Sequence, residues 1–532
     1  MKPLPKIFIA DSISSKGIEL LRADGLFEVI VKTGLQEPAL IEALEGCEAL
    51  IVRSQTKVTA AVIEASPSLR IIGRAGVGID NVHLEAATAR GIVVMNAPGG
   101  NTISTAEHAL SLLLCTARMI PQAHASMKIG KWDRKKFEGA QVHGKTLAIL
   151  GMGRIGSEVA RRAVAFGMRV LVYDPYLSTS KARSLQIEVV DQLHELLPRA
   201  DFITVHMPLT EETKHMIGRR ELSFLKPGVR LINCARGGLI DEEALVEGLS
   251  SGLIAGAALD VFEVEPLPQS SPLTQLENLI LTPHLGASTI EAQEMVGIEI
   301  AESVRLALLK GEIRNALNIP NIDEKTLEIL GPWIELAGRL GQFLAHLGPK
   351  RTEKISICYS GRIAEHDMST VSRSFLTGFL EHIHGPEVNA VNVSSFLKQA
   401  GLQVTESRKS EAGDFMDLLE ISIEAGGEKS SIGATFYGSK PRIVTVNNRF
   451  VEGHPNGVLL LLENKDQPGI VGDLGSLFGK SHLNIANMSL SRNETLGTAL
   501  ILMNLDSLPP ATLLEQLRAD ENILWVEVIH FL

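Results

Sequence analysis

The chain has 532 residues, of which 45% are hydrophobic and 21% charged, with 47 glycines and a net charge of −11. At roughly 150 residues per domain this length calls for three or four cores, and the composition of a soluble α/β protein excludes disordered and fibrous classes. An acidic balance without a basic cluster argues against nucleic acid as the main ligand, and no run approaches the roughly twenty apolar residues that cross a bilayer.

Short apolar runs at Lys6 to Ala10, Phe27 to Val31, Ala49 to Arg53, Arg70 to Arg74 and Ile92 to Asn96 predict strands, with a helix from Ser15 to Ala23 between the first two. Alternation of this kind makes a small α/β domain up to about residue 97. It carries a glycine-rich turn, Gly73-Arg74-Ala75-Gly76-Val77-Gly78-Ile79-Asp80, whose backbone N–H groups suit a carboxylate, although an ordinary tight turn has the same spacing. A long buried helix is expected from Asn101 to Met119, joining two domains, and Lys128 to Phe137 is a basic stretch with the look of a solvated loop. The four cysteines, Cys47, Cys115, Cys234 and Cys358, are scattered and read as reduced thiols of a cytosolic protein.

The stretch Lys145 to Asp174 reads strand, glycine turn, helix, strand, with Gly151, Gly153 and Gly156 at the G-x-G-x-x-G spacing of a dinucleotide site. Gly151 permits the sharp turn, Gly153 leaves room for a pyrophosphate against the backbone, and Gly156 allows close packing of helix and strand. Ser157 to Phe166 carries apolar residues at helical spacing, and the helix N-terminus, with Arg154 and Ile155 as expected cofactor contacts, faces the diphosphate with free N–H groups. Asp174, at the next strand end, suits ribose hydroxyls and opposes a 2′-phosphate, which favours NAD over NADP. Further strands at Phe202 to His206, Arg230 to Cys234, Ala257 to Val261 and Leu279 to Thr282 complete a doubly wound sheet. Ligands lie beyond the carboxyl ends of such strands, which nominates His206-Met207-Pro208-Leu209, Cys234-Ala235-Arg236-Gly237-Gly238, Asp260 to Pro266, and Pro283-His284-Leu285-Gly286 as the site loops, with Thr213 a further expected cofactor contact. The helix from about Ala287 to Lys310 has its natural course back to the first domain, so the nucleotide unit reads as an insertion.

Three polar residues fall on these loops in types that suit hydride transfer: Arg236, Glu265 and His284. A histidine can take a hydroxyl proton, a carboxylate can orient it, and an arginine can grip a 2-hydroxy acid's carboxylate while polarising the reacting oxygen. Each alone has an ordinary structural reading; together, on successive strand ends, they point to one crevice. Ile313 to Asp323 reads as a linker. Beyond it come a helix at Lys325 to Leu347, a helical unit from Val391 to Ala400, and strands at Lys354 to Ser360, Leu418 to Ala425, Ser431 to Tyr437 and Arg442 to Val446, without a nucleophile–base pair or ligand cluster. From Gly457 to Leu532 the order is strand, helix, strand, strand, helix, strand, that of a ferredoxin-like sandwich.

Gly151 to Asp174, the block Leu231 to Asp241, Glu265-Pro266 and Pro283 to Gly286 resemble the signature set of the D-2-hydroxyacid dehydrogenases, over residues from about 5 to 315. The Val52-Arg53-Ser54 segment, the 73–80 turn and Asn96-Ala97-Pro98 resemble the branch of that family which oxidises 3-phosphoglycerate. The resemblance implies a flavodoxin-like substrate domain (1–98 and 288–316) interrupted by a Rossmann NAD domain (99–287), then an α+β intervening domain (320–452) and an ACT domain (457–532). It implies NAD as cofactor and conversion of 3-phosphoglycerate to 3-phosphohydroxypyruvate, the first committed step of L-serine biosynthesis, in the cytoplasm. It also places Arg53 and Arg74 on the substrate phosphate, backbone N–H groups of Val77 and Gly78 on its carboxylate, Asn101 nearby, and Arg134 from a neighbouring subunit of a homotetramer. Asp466 and Asn484 occupy the ACT positions expected to bind an L-serine effector, although serine-sensing forms carry histidine where this chain has Asn464. A glyoxylate or hydroxypyruvate reductase is the alternative within the class, and an NAD(H)-sensing corepressor or scaffold the alternative outside it.

Overall fold

The structure, a computed structural model, describes residues 4–177, 184, 187–321, 324–349 and 351–531. The extreme ends of the expected segments, including Asp323 of the linker, lie outside these residues.

Strands β1 (Lys6–Ile9), β2 (Glu28–Val31), β3 (Ala49–Val52), β4 (Ile71–Arg74) and β5 (Val93–Asn96) form a parallel sheet in the order β2-β1-β3-β4-β5. β3 is buried along its whole length, as a strand covered on both faces must be. One face is covered by the helix Ile290–Lys310, whose Val296, Ile300, Ala301 and Val304 pack on Ile7, Ile9, Ile51 and Met95. The chain thus leaves this unit and returns to it.

A second parallel sheet lies between the two crossings. β6 (Thr146–Leu150), β7 (Arg169–Tyr173), β8 (Glu188–Val189), β9 (Phe202–Val205), β10 (Val229–Asn233), β11 (Ile254–Leu259) and β12 (Leu279–Leu281) take the order β12-β11-β10-β9-β6-β7-β8. The strand order reverses between β6 and β9, which opens the crevice where ligands of such sheets bind. Glu299, on the returning helix, accepts hydrogen bonds from the N–H groups of Gly99 and Gly100 on the outgoing segment and from Asn315. One carboxylate therefore ties both crossings.

The expected linker is partly structured. Met95 bridges to Ala316 antiparallel to β5, and Asn318 bonds Val94 N–H, Thr88 and Ile92 O. Asparagine side chains imitate a missing strand here, a pairing that leaves no hydrophobic trace in sequence.

The third unit contains more than the sequence reading expects. β13 (Lys354–Gly361), β14 (Gln403–Lys409), β15 (Asp417–Ala425), β16 (Glu428–Tyr437), β17 (Lys440–Val446) and β18 (Arg449–Gly453) form a sheet in the order β14-β13-β15-β16-β17-β18. The edge strands β14 and β18 lie outside the expected strands: β14 is polar and mostly exposed, and β18 buries Val451 as its one apolar side chain. A helix at Ser369–His384 was also missed. Its serine, threonine and glycine content weakens the helical signal, but Gly378 lets it touch the helix Glu324–Leu347 backbone to backbone: a Cβ there would stand 2.1 Å from Gly338 O.

Last come β19 (Gly457–Lys465), β20 (Ile485–Asn493), β21 (Thr498–Leu505) and β22 (Ile523–Phe531), in the antiparallel order β20-β21-β19-β22, with helices Ile470–Lys480 and Ala511–Ala519. Leu460, Leu462, Ile501 and Met503 meet those helices. Leu459, Leu461, Leu500 and Leu502, pointing the other way, join the core of the third unit. Strand alternation thus feeds two cores from one sheet.

Candidate active site

The fingerprint turn is shaped by what its glycines avoid. Gly151 has φ 98°, and a Cβ there would meet His206 O at 2.6 Å; at Gly156 it would stand 2.1 Å from Gly151 O. Gly153 has open space around it, and the helix Arg154–Ala165 that it caps starts with no side-chain cap. Free N–H groups and an unobstructed approach are what a diphosphate requires. The Asp174 carboxylate accepts from Met152 N–H at 2.7 Å and Tyr176 N–H at 2.8 Å, tying the turn to the end of β7 and leaving lone pairs for a ribose.

Under that turn, the His206 ring meets Thr204 Oγ1 at 3.0 Å through Nε2, and its Nδ1 is buried without a partner. Burial pushes its pKa down to about 4, so the ring is neutral. Thr213 Oγ1 donates to Pro208 O at 2.6 Å and closes the loop that follows. Cys234 is buried, and burial, with Asp260 next, raises its thiol well above the ordinary value, so it is not a nucleophile.

His284 Nδ1 lies 2.8 Å from Glu265 Oε2. A carboxylate only accepts, so Nδ1 carries the proton and Nε2 is left with the lone pair. Glu265 is fixed in turn by Phe262 N–H on Oε1 at 3.0 Å. Asp260, with a side chain 1% exposed, accepts from Leu285 N–H, Gly286 N–H, Thr282 and His108. Burial opposes its charge, but hydrogen bonds from His108, Thr282 and Leu285 outweigh it and hold its pKa below the usual value. Ser104 and Thr105 grip Gly286 O from the outgoing helix Thr102–Arg118. Asp260 accordingly fixes the loop that presents His284.

The opposite wall comes from the first sheet. Arg74 lies across Gly76, where a Cβ would stand 1.7 Å from its Nη1, and Arg236 lies across Gly78, where a Cβ would stand 2.0 Å from its Nη2. The glycines of the 73–80 turn therefore make room for guanidinium groups. Burial, then the neighbouring Arg236, lowers the Arg74 pKa to about 10, with Arg53 adding to the repulsion; its Nε is buried without a partner. Arg53 is held by Ser12 O at 3.3 Å, and its N–H donates to Asp11. Three positive groups meeting at one crevice call for an anion. Val77 and Gly78 sit on the same turn, and Asn101 Oδ1, at the head of the outgoing helix, is buried without a partner.

Arg134 stands apart. It opens a short turn, Arg134–Phe137, which packs near Glu277 and Asn278 at the amino ends of the strands, away from the crevice of its own chain. Asp466 and Asn484 are likewise not brought together: Asp466 pairs with Arg492 at the Thr498 end of β21, and Asn484 with Asp506 at the Leu505 end, about 23 Å away at 3.3 Å per residue. Sequence reasoning missed Asn233, whose amide braces Ala235 N–H and Arg236 O, and gave no role to Asp11 or Asp80. Asn233 stands in the block quoted for the family, so its position was the available signal. Among the described residues no histidine, cysteine and carboxylate group could hold a metal.

Residues 110–286 match the NAD-binding domain of the D-isomer specific 2-hydroxyacid dehydrogenases, 329–447 the D-3-phosphoglycerate dehydrogenase intervening domain, and 458–522 the ACT domain. The D-3-phosphoglycerate dehydrogenase of Methanocaldococcus jannaschii is 43% identical over 99% of both chains, and that of Bacillus subtilis 37% identical over 98% of this chain and 99% of its own. The chain belongs to the D-3-phosphoglycerate dehydrogenase family. Among solved structures, the TT0316 protein of Thermus thermophilus is 38% identical, with a TM-score of 0.54, over 59% of this chain and 99% of its own. A glyoxylate reductase from Paecilomyes thermophila is 31% identical, with a TM-score of 0.55, over 60% and 99%. The cofactor of the family domain is NAD, and the open cradle at Gly153 and the Asp174 carboxylate fit it.

Proposed function

We propose that this protein oxidises 3-phosphoglycerate to 3-phosphohydroxypyruvate with NAD, the first committed step of L-serine biosynthesis. The convergence of Arg53 and Arg74 on Arg236, which stands on strand ends of the same sheet as the His284–Glu265 pair, carries this reading. A plain 2-hydroxy acid needs one arginine for its carboxylate; a phosphate monoester adds a charge near −2 and gives the others a use. NAD, when bound, accepts the hydride. Nε2 of His284 takes the hydroxyl proton, Glu265 steadies the imidazolium, and Arg236 grips the carboxylate and polarises the carbonyl oxygen that forms. Val77 and Gly78 N–H groups share the carboxylate, Arg53 and Arg74 take the phosphate, and Asn101 assists. Gly151, Gly153, Arg154, Ile155, Gly156, Asp174, His206, Pro208, Thr213, Cys234, Ala235, Asp260 and Gly286 line the cofactor side.

The same reading makes the protein a cytoplasmic homotetramer, with L-serine bound at the ACT domain and Arg134 lent to a neighbouring subunit. The separation of Asp466 from Asn484 supports a site shared by two copies, since one copy alone cannot close both residues on a small molecule. Unpaired cysteines agree with a reducing compartment. An NAD-coupled assay with 3-phosphoglycerate tests the activity, and repeating it with serine tests the effector. Replacing Arg74 with alanine should raise KM for phosphoglycerate at least about tenfold, as loss of a charge-assisted contact does. An unchanged KM would favour a glyoxylate or hydroxypyruvate reductase.

A further inference from the structure

Asp80 takes no part in the proposed chemistry. Its side chain is 78% exposed, yet its Oδ2 stands 3.4 Å from Nε of Arg236. The two residues belong to opposite walls of the crevice: Asp80 to the turn after β4, Arg236 to the loop after β10. An ion pair so open to water adds little to stability. Its use must lie in where it leaves the arginine.

The guanidinium has three nitrogens to place. Nη1 donates to Ala235 O at 2.7 Å, Nε faces Asp80, and Nη2 lies over Gly78, with no protein acceptor among the described residues. Among the described residues, the only anchor of this guanidinium besides Asp80 is thus the carbonyl of the preceding residue, which cannot by itself fix a long side chain. Arg74 crowds the same turn and repels Arg236, while Asp80 carries the charge that offsets both. Asp11, the other carboxylate of this wall, is already committed to Arg53 N–H, Thr56 N–H and Thr56 Oγ1.

We propose that Asp80 is a positioning residue: it holds the Arg236 guanidinium across the crevice so that Nη2 meets the substrate's carboxylate and reacting oxygen. The proposal rests on the assignment of Arg236 to the substrate. It makes a prediction opposite to that of a bystander charge. A carboxylate that merely repelled an anionic substrate would, on neutralisation, lower KM and leave kcat alone. A positioning carboxylate would, on neutralisation, lower the rate of the chemical step.

The test compares D80N and D80E with the unaltered full chain. Single-turnover NADH formation from 3-phosphoglycerate should fall about tenfold to a hundredfold in D80N, the scale of a misplaced polarising group. NAD affinity and the thermal midpoint should stay at the unaltered values, and D80E should recover most of the rate. A D80N rate within twofold of the unaltered chain overturns the proposal, as does a loss of rate matched by a fall in thermal midpoint and shared by D80E. If the unaltered chain ignores phosphoglycerate, the substrate reading has failed. The same variants are then compared in NADH-driven reduction of glyoxylate, whose carboxylate needs the same grip, and the same criteria decide.

Discussion

His284 sits at φ 55°, a left-handed conformation uncommon outside glycine, and its N–H is held by Asp260 O and Thr282 O. The ring's direction is therefore set by the loop and by Glu265 jointly. Replacing His284 with alanine should lower the hydride-transfer rate by about a hundredfold or more, while NAD still binds; substantial surviving turnover would remove it from the role. His206 tests a different property of the same crevice. An unfolded chain titrates this ring near 6.5 and the folded one near 4, so between those values the unfolded state binds more protons. Stability should fall as pH falls through that window and be flat above it. His206→Gln should flatten the change in urea midpoint between pH 7 and 5 relative to the unaltered chain, and equal slopes would sink the idea.

At the scale of elements, glycine contacts decide how closely layers approach. Gly156→Ala should abolish NAD binding, because its Cβ would lie 2.1 Å from a backbone carbonyl that cannot move without unmaking the turn. Gly341 plays a similar part in the third unit: a Cβ would stand 2.2 Å from Phe375 O, where the helices Glu324–Leu347 and Ser369–His384 cross. Gly341→Ala should destabilise that unit by about 1–3 kcal/mol, the range for overpacking a core. Limited proteolysis would show cleavage there first, with the nucleotide unit intact. The glycines are visible in sequence but the backbone that faces them is not, so the close crossing of these two helices leaves no local trace, whereas the fingerprint spacing does.

Across the whole molecule, the last unit is not an appendage. Leu459, Leu461, Leu500, Leu502, Ile529 and Phe531 are buried in one core with Leu336, Phe343 and Ile432 of the third unit. Removal of residues 457–532 should therefore expose that core and leave 324–453 unfolded or aggregated, while the two parallel sheets still bind NAD. Light scattering together with NAD titration of the truncated chain would check it, and a monodisperse product with the third unit resistant to protease would contradict it. The two crossings between the sheets, by contrast, share Glu299 and a well-packed helix, so the crevice does not depend on the later units for its frame.

Much of this was written along the chain. Short apolar runs alternating with helical spacing fixed two parallel sheets, since hydrophobic periodicity is a local property, and the G-x-G-x-x-G spacing with Asp174 named the cofactor for the same reason. The placement of Arg236, Glu265 and His284 on neighbouring loops was legible because each follows a strand of one parallel sheet. What sequence could not supply were pairings between distant residues: Asp80 against Arg236, Asn318 along β5, Gly338 against Gly378, and the double use of the last sheet. None leaves a periodic trace, because each depends on which surfaces meet after the chain has folded. Local chemistry thus determined the parts and their cofactor. Only tertiary contact decided how one wall of the crevice holds the arginine of the other.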